Sequence, residues 1–174
     1  MTVLETERLT IRRLTADDAA FILRLLNEPS FLQHIGDRGV RTVADAIRYI
    51  QTGPIASYDR FGFGLFLVEL KDGHVPIGIC GLLKRDALDD VDVGFAFVPE
   101  SWSKGYAFES VSGTLAYGRD THHLKRIVAI TSQENVASIN LLVKLGFYFD
   151  RMVLMPGDTE ELRLFSRTLA EDHA

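Results

Sequence analysis

Residues 91–98 are Val-Asp-Val-Gly-Phe-Ala-Phe-Val, an apolar strand stopped by Pro99, and they lead into Trp102-Ser103-Lys104-Gly105-Tyr106-Ala107. This glycine turn opens directly into a helix. A strand that feeds a glycine turn and then a helix leaves a row of backbone N–H groups without intrahelical partners. The positive end of the helix dipole adds to them. The arrangement suits a phosphate or pyrophosphate. It constrains the fold as well, because the strand must sit inside a sheet with the helix packed across it.

The rest of the stretch extends this pattern. Leu124 to Thr131 is β-branched and reads as a strand, Asn135 to Leu145 reads as a helix, and Gly146 stands at its C′ position. Upstream, Leu4 to Leu14 reads as a first strand. Thr15, with Asp18 three positions on, starts a helix with the stripe Ala19, Ile22, Leu23 and Leu26, and Pro29 ends it. Phe31 to Arg41 reads as irregular. Thr42 with Asp45 starts a second helix, closed by Gly53-Pro54. Strands follow from Phe63 to Leu70 and from Pro76 to Lys84 around an Asp72-Gly73 hairpin turn, and two closing strands run from Tyr148 to Leu154 and from Leu162 to Leu169. The expected fold is α/β: a mixed sheet flanked by about four helices.

Neither repeat nor linker interrupts the 174 residues, so a single domain spanning 1–174 is expected. The net charge of -5 excludes an overall basic footprint, and no nucleic-acid partner is expected. The one cysteine, Cys80, sits in an apolar run and reads as a buried small hydrophobe in a reducing compartment. Without an apolar leader or a membrane-length run, no membrane partner is expected and a cytoplasmic location is. No metal-ligand spacing is visible, so no metal is expected.

The dinucleotide and triphosphate-loop glycine patterns are absent. Trp102-Ser103-Lys104-Gly105-Tyr106-Ala107 instead resembles the Arg/Gln-x-x-Gly-x-Gly/Ala motif of GNAT acetyltransferases, with tryptophan in first place as in the RimJ/RimL-like branch. Leu4-Glu5-Thr6-Glu7-Arg8-Leu9 resembles that branch's opening strand. Asn135-Val136-Ala137-Ser138 followed by Lys144-Leu145-Gly146-Phe147 resembles its Asn-x-x-Ser helix. The resemblance covers nearly the whole chain.

It implies the GNAT acyl-CoA N-acyltransferase fold, a mostly antiparallel sheet splayed at the cosubstrate site. It also implies acetyl-coenzyme A as cosubstrate and an amine as acceptor. Backbone N–H groups of Ser103, Lys104, Gly105, Tyr106, Ala107 and Phe108 would hold the pyrophosphate. The pantetheine arm would lie along Phe95 to Val98, with Phe97 and Val98 in contact, and Asn135 would reach one of its amides. The N–H of Phe95 or Ala96 would be the oxyanion donor.

The family often places a tyrosine acid at the position of Leu142 here. Ser138 is the substitute the branch suggests, and it also reads as a helix-start hydroxyl. Asp92 is the first candidate base, with a solvated strand residue as the other reading. Glu160 and Glu161 are alternatives, as is water. Glu109 reads as a first-turn structural acid. His34 lies in the substrate-side loop, and His122-His123 reads as a helix C-terminus favouring a cation. A carboxylate-lined cleft would attract a cationic amine, while Arg38 and Arg41 could grip an acceptor's carboxylate or phosphate. The function expected is acetyl transfer to a primary amine on a protein N-terminus, an amino acid or a small metabolite. A coenzyme A-binding module without turnover is the alternative, and a homodimer is left open.

Overall fold

The computed structural model describes residues 1–169; the last five residues of the expected domain lie outside it. Eight strands form one sheet: β1 (Thr2–Glu5), β2 (Leu9–Arg12), β3 (Leu65–Leu70), β4 (Val75–Leu83), β5 (Asp92–Phe97), β6 (Arg126–Thr131), β7 (Tyr148–Val153) and β8 (Leu162–Thr168). Their order is β1-β2-β3-β4-β5-β6-β8-β7. Every neighbouring pair is antiparallel except β5 with β6. That exception makes the site. The parallel pair meets at a single register position, Asp92 opposite Val128, and the strands part beyond it.

The helices are α1 (Ala19–Leu26), α2 (Pro29–His34), α3 (Val43–Ile50), α4 (Ala56–Phe61), α5 (Tyr106–His122) and α6 (Val136–Lys144). Six stand where about four were expected. Both capping boxes form as read: Thr15 with Asp18 and Thr42 with Asp45. Pro29 does follow the end of α1, but it also occupies the first position of α2, where its missing N–H costs nothing. The segment expected to be irregular therefore begins with a helix. Gly53-Pro54 does not close the chain's second helical run. A wide π-type turn, Gln51–Ile55, absorbs the proline and carries the chain into α4, which ends at Gly62 in the left-handed conformation. The expected first strand is two strands. The chain reverses after Glu5, and the Thr6 N–H donates to the Leu9 carbonyl at 2.9 Å.

The sheet is covered on both faces. On one, Val111 and Leu115 of α5 and Leu142 of α6 pack with Phe66, Cys80, Val93 and Ile127. On the other, Ile22 and Leu26 of α1, Phe31 of α2 and Ile50 of α3 pack with Leu67, Ile79 and Val98. Side chains alternate along a strand. Val93, Phe95 and Phe97 thus join the α5 side, whereas Ala96 joins the α1–α3 side, the face it shares with Asp92 and Gly94. Cys80 is fully buried; burial raises its thiol to about 11, and it lies 3.4 Å from the Thr114 hydroxyl. It is a packing residue, as read. No described helix is long and apolar enough to cross a membrane.

Candidate active site

The hydrogen-bond ladder decides which backbone groups face the splay. In a strand, the N–H and C=O of alternate residues point to opposite edges. The Val98 N–H donates to Ile77 of β4 at 2.9 Å, while the Val91 carbonyl accepts from Val128 of β6 at 3.0 Å. By this alternation Asp92, Gly94, Ala96 and Val98 face β4, and Phe95 and Phe97 face the opening. Of the two expected oxyanion donors, Ala96 is therefore committed to the ladder opposite Ile79, and Phe95 has the open edge. Val98 is likewise turned away, with its N–H bonded and its side chain 1% exposed. The Phe97 carbonyl is occupied too: it accepts from the Trp102 indole N–H at 2.8 Å. This bond ties the glycine turn to the end of β5. A tryptophan N–H near a strand end was the available signal for it.

The turn is braced from behind. Ser103 has φ 61 and Gly105 φ 83, both left-handed, and Gly105 is the N-cap of α5. Arg8 donates to the Lys104 carbonyl at 2.9 Å and to Glu109 at 2.7 Å, with its guanidinium 4.4 Å from the centre of the Tyr106 ring. A Cβ built on Gly105 would lie 3.2 Å from the Arg8 guanidinium, so the glycine serves both the dihedral and the brace. Glu109 also accepts from the Thr6 hydroxyl and the Arg8 N–H. Although burial opposes it, these bonds hold the Glu109 carboxyl below its ordinary range. Its role is structural, as its first-turn position suggested. Among the described residues, the first-turn N–H groups of α5 are left facing outwards, beside exposed Ser103, Lys104 and Phe108.

A cavity of ≈ 290 Å³ penetrates between β5 and β6. It brings together Asp92, Gly94, Phe95, Asn135 and Ser138 with His34 and Arg38. The Asn135 side-chain carbonyl accepts from the Ser138 N–H at 3.2 Å, capping α6, which leaves its NH₂ group to donate outwards. The Ser138 hydroxyl lines the cavity one turn below. Leu142 is 1% exposed and lies in the core.

Asp92 is 1% exposed, not solvated. Burial pushes its carboxyl up to about 6, against the opposing pull of Arg85, whose Nε donates to Oδ1 at 3.1 Å. Its other oxygen, Oδ2, is buried with no partner. A carboxylate oriented through one oxygen and unsatisfied at the other is built to accept a proton. Arg85 was missed in the sequence; it stands two residues beyond Leu83, the residue opposite Asp92 in the β4–β5 hairpin. Tyr49 of α3 was missed as well, because helical periodicity shows it only as one more semi-buried aromatic. It lines the cavity, and burial raises its phenol pKa.

The other candidates separate. Glu160 and Glu161 are exposed and do not line the cavity; Asp158 of the same turn does. Arg41 is paired with Asp37 and donates to Asn27, which turns it away, while Arg38 stays at the cavity. His34 lies 3.0 Å from the Ser132 hydroxyl, so α2 reaches across to the β6–α6 turn. His122 and His123 do stand at the C-terminal end of α5, but His122 is turned into the fold. Burial holds its pKa below the ordinary value, His123 adds repulsion, and its Nε2 lies 2.8 Å from the Tyr117 hydroxyl. Among the described residues no cluster could hold a metal ion.

Residues 8–148 match the family model for the acetyltransferase (GNAT) domain. The chain is 30% identical over 147 residues to YoaA of Bacillus subtilis, described as an uncharacterized N-acetyltransferase, covering 83% of this chain and 82% of that protein. Among solved structures, an acetyltransferase from Agrobacterium tumefaciens superposes with TM-score 0.81 at 22% identity, covering 96% of this chain and 94% of the other. RimL, a ribosomal alpha-N-protein acetyltransferase in complex with coenzyme A, superposes with TM-score 0.82 at 14% identity over 97% of this chain and 98% of its own.

Proposed function

Because the chain belongs to the GNAT acetyltransferase family and is an N-acetyltransferase, we propose that it moves the acetyl group of acetyl-coenzyme A to a primary amine, by direct attack within a ternary complex. The observation that carries this is the free edge of β5 beyond Asp92, running to the unbonded N-terminal turn of α5. The residues fit the cosubstrate. Amides of Ser103 to Phe108 would take the pyrophosphate, with Lys104 beside it. The edge at Phe95 and Phe97 would pair with the amide-rich pantetheine arm like an added strand. The Asn135 NH₂ would donate to one of its carbonyls.

When bound, acetyl-coenzyme A supplies an activated acyl thioester. Asp92, ionised above its pKa of about 6, would take a proton from the incoming ammonium and so free the neutral amine that attacks. Arg85 keeps it oriented. The Phe95 N–H donates to the carbonyl oxygen as negative charge develops there. Ser138 would donate a hydrogen bond to the departing thiolate and relay to it a proton from solvent, a modest demand for a thiol whose pKa is near ~8.5. Positioning supplies much of the remaining acceleration.

The RimJ/RimL-like motifs and the likeness to a ribosomal alpha-N-protein acetyltransferase favour a protein or peptide N-terminus as acceptor. The α-amine itself fits, since a pKa near ~7.7–8.0 leaves roughly a tenth or more of it neutral at pH 7, far more than for a lysine. The test is thiol release from acetyl-coenzyme A across N-terminal peptides, free amino acids, polyamines and amino sugars. N-terminal peptides should lead. Turnover of hydroxyl compounds with no amine turnover would overturn the proposal.

A further inference from the structure

A second concavity of ≈ 390 Å³ lies between the Thr52–Phe61 segment and the end of β4. It adjoins the active-site cavity: Arg38, Tyr49, Leu65, Leu83 and Arg85 line both. Its charged lining is of one sign: Arg38, Arg60, Lys84 and Arg85, with no carboxylate among the described residues. Asp92 and Asp158, by contrast, belong only to the inner cavity. The inner cavity therefore holds charges of both signs, while the outer groove is lined by cations alone. The four cations are differently engaged. Lys84 donates to the Leu88 carbonyl at 2.7 Å, Arg60 stacks on Phe61, and Arg85 holds Asp92. These contacts fix positions but, apart from Asp92, neutralise no charge. In a protein of net charge -5, a groove that gathers Arg38, Arg60 and Lys84 with no acid in its lining is a local exception to the composition.

We propose that this basic groove is the specificity site for the acceptor, and that it takes the acidic residues immediately following the N-terminus of a peptide whose α-amine enters the inner cavity. The inference rests on the amine-transfer reading above and narrows its substrate class. The polarity matches: the ammonium faces Asp92, and the carboxylates behind it face Arg38, Arg60 and Lys84. A free α-amino acid does not use the groove, since its carboxylate is one carbon from its amine and stays inside. Guanidinium groups suit this role because they grip carboxylates through paired N–H donors.

The test uses three hexapeptides with a free N-terminal serine that differ only at their second to fourth residues: aspartates, alanines or lysines. The aspartate peptide should show kcat/KM about tenfold above the alanine peptide, the sum of several exposed pairs. The lysine peptide should fall below both. The aspartate advantage should shrink as salt screens it. Arg60→Glu, and Arg60→Ala as the milder variant, should lower the aspartate-to-alanine ratio of kcat/KM, with Arg60→Glu inverting it in favour of lysine. Equal kcat/KM for the aspartate and alanine peptides in the wild type, independent of salt, would overturn the groove while leaving amine transfer intact. If no peptide is acetylated, amine transfer to peptides fails instead. The groove is then read separately, from fluorescence anisotropy of a labelled, Nα-acetylated aspartate peptide: binding that Arg60→Glu abolishes supports it, and no binding overturns it. Inorganic phosphate is the remaining arm. If phosphate binds through Arg38 and Arg60 and the aspartate peptide does not, the groove is a small-anion site and the proposal falls.

Discussion

Asp92 is the residue at which sequence and structure say different things about one side chain. Its neighbours Asp89 and Asp90 in the turn before β5 made it read equally well as solvated; the fold instead buries it against Arg85 and leaves one oxygen unsatisfied. If it is the base, log kcat/KM should rise with pH through an apparent pKa near about 6 and level off above it until the acceptor amine titrates. Asp92→Asn should remove that limb and lower the rate by roughly 10²–10⁴. A pH-rate profile settles it; an acidic limb retained in the variant would assign the proton to another group. The stability linkage has a definite sign. The folded carboxyl, raised above its unfolded value near ~3.9, holds a proton the unfolded chain has released. Stability from this group is therefore greatest at low pH and is lost as pH rises from about 4 to about 6. Ser138 should matter less. Ser138→Ala should slow turnover about tenfold to a few hundredfold, because the thiol leaves readily. An unchanged rate at every pH would return Ser138 to its place beside the α6 cap.

At the scale of elements, the strand–turn–helix that opened the reading was legible because each piece has its own chemical signature. Pro99 stops the strand, Gly105 supplies the positive φ, and Tyr106 begins the helix. The brace was not legible. Arg8 and Glu109 are a hundred positions apart in sequence, and nothing local ties a charged strand residue to a first-turn acid. The helical errors share one cause. Proline marks a stop by propensity, and α1 does end before Pro29, yet proline is neutral at the first position of α2 and tolerable at Pro54, where the backbone widens into a π-type turn. Open-edge parity was also out of reach, since register depends on the hairpin turns and one residue of slip exchanges Phe95 for Ala96. The turn carries its own prediction. Gly105→Ala should cost about 1–2 kcal/mol through the left-handed dihedral and crowd Arg8. It should also weaken acetyl-coenzyme A binding about tenfold with kcat at saturation little changed. Calorimetry and a thermal melt read the two effects. A lower Tm with wild-type affinity would mean that the turn only joins strand to helix.

For the whole molecule, one topological fact organises the rest. An antiparallel sheet with a single parallel pair that parts after one register position exposes backbone donors in its interior without creating an outer edge. The helices of one face supply the dipole and the α6 serine; those of the other, with the β4–β5 turn, line the cavity and the basic groove. In the proposed mechanism the cosubstrate would complete the missing ladder along β5. Amide hydrogen exchange, resolved by residue with and without acetyl-coenzyme A, tests it most directly. Phe95, Phe97 and the amides of Tyr106 to Phe108 should exchange readily in the free protein and become protected on binding, while Ala96, already bonded to β4, should be slow in both states. Saturating acetyl-coenzyme A that leaves Phe95 and the α5 amides unprotected, or protects a different edge, would contradict the account.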